Sequence, residues 1–172
     1  IKNYTQWING KTADKPLMSH TVLKENLFPS LRDNESIFLI VIDNLRYDQW
    51  KTIQPLISDY YRVDKDEIYY SILPSVTQYA RNALFAGLLP SEIGKKYPDL
   101  WLNENDEGNK NDYENELLDE YLRRYGRKIK HSYSKVLNMD FAKKLNDKLS
   151  TLLDNELNVI IYNFVDMLSH AH

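Results

Sequence analysis

The chain has 172 residues, 42% of them hydrophobic and 27% charged, with a formal net charge of −3 and no cysteine. That length suits one domain, or the larger part of one, with a real core, and thirteen Tyr, five Phe and three Trp exclude a disordered chain. The missing Cys excludes a disulfide scaffold and any thiolate metal or redox site, while the slightly acidic balance leaves only local patches to attract nucleic acid or anionic lipid.

The first residues, Ile1-Lys-Asn-Tyr, are neither a Met start nor a charged-then-apolar signal. The chain is therefore expected to be cut from something longer, with a cytoplasmic location as the default. Ser19 is placed to cap a helix carrying Val22, Leu23, Asn26 and Leu27, which Pro29 stops. Residues 1–34 thus read as the end of a helical linker docked on a domain formed by 35–172.

From Ser36 the pattern changes. Ile37–Ile42 is continuous, apolar and largely β-branched, the mark of a strand buried on both faces of a parallel sheet. It is also the longest apolar run, far below the roughly 20 residues of a membrane span. Leu45 to Ile57 has helical spacing, Tyr60 to Leu73 reads as one or two strands, and Thr77 to Leu88 as a helix ending at Gly87. The polar stretch Asn103 to Asn115 (NENDEGNKNDYEN) reads as a surface loop or disordered insertion. Tyr113 to Tyr125 is an amphipathic helix closed by Gly126, Lys128 to Val136 a strand, and Phe141 to Leu153 a helix. Val159 to Val165 is a second buried strand, running into Asp166. Strands alternating with helices predict an α/β fold: a largely parallel sheet with helices on both faces.

Ligands of open α/β sheets bind beyond the carboxyl ends of the strands. The two strands expected to be central both deliver an acid there, Asp43 and Asp166. Either Asp alone is as readily a helix cap. Asp166-x-x-x-His170 brings a carboxylate and an imidazole within about one turn, and both ligate divalent metals; a surface His beside a cap is the bland alternative. His172 is a weaker candidate of the same kind. The third piece is Leu73-Pro-Ser-Val-Thr77, where Pro74 ends a strand and Ser75 and Thr77 stand before a helix. Taken alone, Thr77 reads first as an N-cap hydroxyl, but a helix N-terminus also eases an alkoxide, and a metal makes that hydroxyl a nucleophile at neutral pH.

VIDNLRYDQW, SILPSVTQYARNALFAGLLPSEI and NFVDMLSHAH, in this order, resemble the blocks of the alkaline phosphatase superfamily, and more closely its PglZ branch as found in PorX-type two-component response regulators. The resemblance covers about Pro16 to His172. It implies an alkaline-phosphatase-like α/β fold with two divalent metal ions, usually zinc. Asp43 and Thr77 would belong to one metal, with Thr77 also the nucleophile, and Asp166 and His170 to the other. Ser75 is the rival nucleophile, and the superfamily's placement of its hydroxyl at the helix start favours Thr77. Asn44 and Arg46 match the family block and are candidates for substrate contact.

The superfamily's remaining ligands, an Asp-His pair and a further His, lie well after the position matching His170. The chain is therefore expected to be a fragment: the linker's end and the first half of the catalytic domain, truncated at its C-terminal side. Weak metal binding follows for the piece alone, and an uncovered sheet edge predicts homodimerisation or strand pairing. The resemblance implies hydrolysis of a phosphoester, a nucleotide or oligonucleotide diester, by an output domain that a histidine kinase controls through a receiver domain. A non-catalytic signalling module with the same fold is the alternative. A phosphate-cradling nucleotide-binding domain fits poorly, since neither G-x-G-x-x-G nor G-x-x-x-x-G-K-[ST] occurs.

Overall fold

The computed structural model describes residues 3–10, 12–13, 15–163 and 165. In chain order these form helix α1 (Tyr4–Ile8), two helical turns over 23–30, strand β1 (Ile37–Ile42), α2 (Tyr47–Ile57), α3 (Thr77–Ala86) and α4 (Pro90–Lys96). A short 3₁₀ turn (Pro98–Leu100), α5 (Glu114–Tyr125), β2 (His131–Val136), α6 (Met139–Asp147), α7 (Leu149–Leu152) and β3 (Leu157–Tyr162) follow. No helix among the described residues is long and apolar enough to cross a membrane.

The chain divides into two compact units, one built from Leu31–Glu67 and Ile129–His172, the other from Ile1–Ser30 and Ile68–Lys128. The first is the sheet unit. Its three strands are all parallel in the order β1-β3-β2, with Ile42 opposite Tyr162 and Val136 opposite the same residue. β3 lies between two neighbours, and Leu157 to Ile161 are all buried. The β-branched run of β1 does form a parallel strand, but its place is at an edge. Among the described residues it pairs with β3 alone, and it is half-buried, with Ile40 54% exposed. The expectation of burial on both faces is corrected accordingly.

One buried side chain ties this sheet together at the amino ends of its strands. The Asn158 amide donates to Ser36 Oγ and to the Leu152 carbonyl, each at 2.9 Å, and its Oδ1 accepts from Ser132 Oγ at 2.6 Å and Asn155 Nδ2 at 3.1 Å. A buried amide so fully paired costs little and fixes the register of its neighbours. The helix expected over 141–153 is two helices. Asn138 caps α6, its Oδ1 accepting from the N–H groups of Asp140 and Phe141 at 3.1 Å, and α6 ends at Lys148.

The second unit is helical. α3 packs on α5, and Phe28 inserts its ring against Tyr121 and Tyr125 at centroid distances of 4.8 and 4.9 Å. Met18, Ile72 and Ala83 form a second buried cluster, flanked by Trp7 and Tyr79. Both helices end on glycine with positive φ, Gly87 at 60° and Gly126 at 83°, as their sequence predicts. At Gly87 the requirement is also steric, because a Cβ there would overlap the Tyr121 ring.

Three expectations fail in this part of the chain. Tyr60 to Leu73 forms no strand; its one ladder contact is an isolated bridge from Tyr70 to Met18. The Tyr- and Ile-rich composition supplies β propensity, but propensity without a partner strand builds nothing. Ser19 caps no helix and instead accepts a hydrogen bond from the Ile72 N–H at 3.2 Å. The polar stretch 103–115 is not wholly a solvated loop, since Asn111 and Glu114 are buried.

Candidate active site

In the sheet unit, the chain leaves β1 at the carboxyl end of a parallel ladder. The N–H of Asp43 donates to the Tyr162 carbonyl at 3.0 Å, extending the β1–β3 pairing by one step, so its half-buried side chain starts from the rim of the sheet. Asn44 then turns the chain with a left-handed φ of 60°, a conformation that Asn tolerates better than most residues. That gives Asn44 a backbone role independent of any substrate contact. Arg46 is exposed and forks onto Asp48, with Nη2 to Oδ2 at 2.8 Å and Nε to Oδ1 at 3.0 Å. The guanidinium thereby holds the Asp48 carboxyl below its ordinary range. Its backbone N–H donates to Gln49 Oε1 at 3.0 Å, where α2 begins.

Four residues after the end of β3 comes Asp166. Asp166, His170 and His172 lie outside the described residues. β1 and β3 are parallel and in register, so the chain leaves both on the rim that carries Asp43. Among the described residues no three His, Cys, Asp or Glu side chains gather into a metal-sized group. Of the four predicted ligands, the described ones are Asp43 and Thr77.

Thr77 belongs to the helical unit, where it is the first residue of α3; Val76 before it is extended, and Ser75 is exposed. Thr77 is half-buried, and its carbonyl accepts from Asn111 Nδ2 at 3.3 Å. The same Asn111 amide reaches Glu114 Oε1 at 2.9 Å and Asn82 Oδ1 at 3.3 Å. One turn on from Thr77, Arg81 pairs with Glu114 through two bonds, 2.7 and 2.8 Å, both side chains buried. Asn82 Nδ2 donates to the Lys110 carbonyl at 2.9 Å. The helix carrying the candidate nucleophile is therefore seated by a polar cluster inside the core.

This cluster was not foreseen from the sequence. The signal that could have found it is the run Arg81-Asn82 on the same stretch of α3 as Ala83, Leu84 and Phe85, all of them buried. Buried charges are paired, so an Arg in an apolar helix face calls for an acid elsewhere, and the stretch read as loop is rich in acids, Glu114 among them.

The donor set predicted from the sequence, Asp43, Thr77, Asp166 and His170, consists of carboxylate, hydroxyl and imidazole with no thiolate. That chemistry suits zinc, magnesium or manganese. A search of curated proteins finds no match to the chain. Residues 22–172 match the BREX system PglZ alkaline phosphatase-like domain. This stretch takes in β1 to β3, Asp43, the start of α3 at Thr77 and the Asp166-to-His170 segment, and with its all-parallel sheet the chain belongs to the PglZ alkaline phosphatase-like family.

Proposed function

We propose that this domain is a metal-dependent phosphoester hydrolase, acting on a nucleotide-type phosphodiester as the output domain of a two-component response regulator. What supports the reading most is the family match over 22–172, together with an acid on the carboxyl rim of the sheet and a hydroxyl opening a helix of ten residues. The response-regulator setting rests on the likeness of the three sequence blocks to PorX-type proteins.

Asp43 and Thr77 would hold one metal ion, and Asp166 and His170 a second. When bound, such a pair neutralises charge on the attacking and leaving oxygens. Thr77 Oγ1 attacks phosphorus in line with the leaving oxygen; the Oγ1–P bond forms as the P–O bond to the leaving group breaks, and the departing alkoxide takes up a proton. The first N–H groups of α3 and its dipole favour the anionic form of the hydroxyl. Water then attacks the threonyl phosphoester, releasing a phosphomonoester and restoring Thr77. The buried Arg81–Glu114 pair keeps the helix start in place throughout.

The test is turnover of a nitrophenyl phosphodiester by full-length protein with added zinc. Thr77→Ala and Asp43→Ala should each lower kcat by about a thousandfold or more, as loss of a nucleophile or its activator does. Unchanged turnover in both would reject the assignment.

A further inference from the structure

Beside the start of α3 the helical unit contains a cavity of about 650 Å³, within the range of small-molecule sites, ~300–1,000 Å³. Its walls come from the first turn of α3, from α4 and from the loop after the 3₁₀ turn. Two rings stand together in it, Tyr79 and Trp101, with centroids 5.9 Å apart and planes tilted by 36°. Both are held. The Tyr79 hydroxyl donates to Glu104 Oε1 at 3.0 Å, and a Cβ added at Gly94 would lie 3.4 Å from the indole Cδ1, so α4 backs the Trp101 ring closely.

Four polar groups of this cavity are unspent. Among the described residues, the Trp101 indole N–H, the Ser91 hydroxyl, the Lys95 ammonium and the Asn105 amide have no hydrogen-bond or ion-pair partner. Donors and acceptors around fixed aromatic rings suit a flat ligand with a polar edge: the rings take its face, the hydroxyl and amide its edge, and the ammonium an attached anion. A lipid tail would leave these groups unsatisfied, and a free phosphate would leave the rings uncovered.

We propose that this cavity seats the heteroaromatic base of a nucleotide, with Trp101 and Tyr79 as its stacking surface and Lys95 toward its phosphate. On α3, Tyr79 stands two residues beyond Thr77 and so on a different face of the helix, which makes the cavity a binding site in its own right. The binding does not depend on the phosphoester reading.

Calorimetry on the full-length protein with adenosine monophosphate, and with ribose 5-phosphate as the baseless control, tests it. Adenosine monophosphate should bind, and Trp101→Ala should weaken it by about ten- to hundredfold. Trp101→Phe should restore most of the affinity, and ribose 5-phosphate should bind far more weakly and without dependence on Trp101. No binding of adenosine monophosphate, equal binding of ribose 5-phosphate, or an unaltered affinity in a folded Trp101→Ala variant would overturn the proposal. Failure of the phosphoester reading has a different signature: Trp101-dependent nucleotide binding by wild-type protein that hydrolyses no phosphodiester.

Discussion

The two units hold their candidate functional residues by different means. In the sheet unit, Asp43 is placed by main-chain atoms: its N–H closes a parallel ladder and Asn44 turns the chain away. In the helical unit, Thr77 is placed by side chains: the Asn111 amide reaches its carbonyl from a later loop, and Arg81 of the same helix pairs with Glu114 of α5. A backbone ladder tolerates most changes to the side chains around it. A buried pair does not, because removing one partner strands the other in a low dielectric. The seat of the proposed nucleophile should therefore be the more fragile of the two.

The sharpest way to break that contrast is Glu114→Leu, which takes from the buried Arg81 the carboxylate it pairs with. It should destabilise the protein by about 3–5 kcal/mol, while the double change Arg81→Met with Glu114→Leu recovers most of that loss. Urea unfolding of the three variants measures both, and a single variant near wild-type stability would show that the pair does not seat α3. Next in size, Gly87→Ala imposes both a left-handed alanine and a clash with Tyr121, for about 2–4 kcal/mol in the same measurement. In the sheet unit the comparable change is Asn158→Leu. It leaves Ser36, Ser132 and the Leu152 carbonyl without their shared partner and should cost about 1–3 kcal/mol. A larger cost there than for Glu114→Leu would reverse the contrast.

The smallest effect concerns pH. Burial holds His20 below its ordinary value of 6.5, with Glu92 pulling it up and Lys15 pushing it down less strongly. A base whose native pKa is depressed binds fewer protons folded than unfolded at mildly acidic pH, so its contribution is whole above about 6.5 and declines as the pH falls toward the native value. Unfolding midpoints measured across that window should slope downward with acid in wild-type protein and more shallowly in His20→Gln. Parallel slopes would show that His20 does not contribute.

Local signals carried much of the fold. β1 was legible because six consecutive apolar, mostly β-branched residues have few other uses, and α3 and α5 because glycine with positive φ ends each of them. What stayed hidden depends on partners distant in sequence. Tyr60 to Leu73 has strand-forming residues but, among the described residues, no strand beside it; Ser19 reaches Ile72 rather than a helix end, and Arg81 finds Glu114 across 33 positions. Asp43 and Thr77 were legible as candidates because they stand at a strand end and a helix start, where the main chain itself defines the chemistry. The cluster that seats Thr77 was not, because nothing local requires it.

The most direct measurement is the identity of the residue that carries the covalent phosphoester. Full-length protein mixed with a phosphodiester, quenched within the first turnover and cut into peptides should yield the adduct on Thr77. An adduct on Ser75, or a burst of product with Thr77 unmodified, would contradict the account.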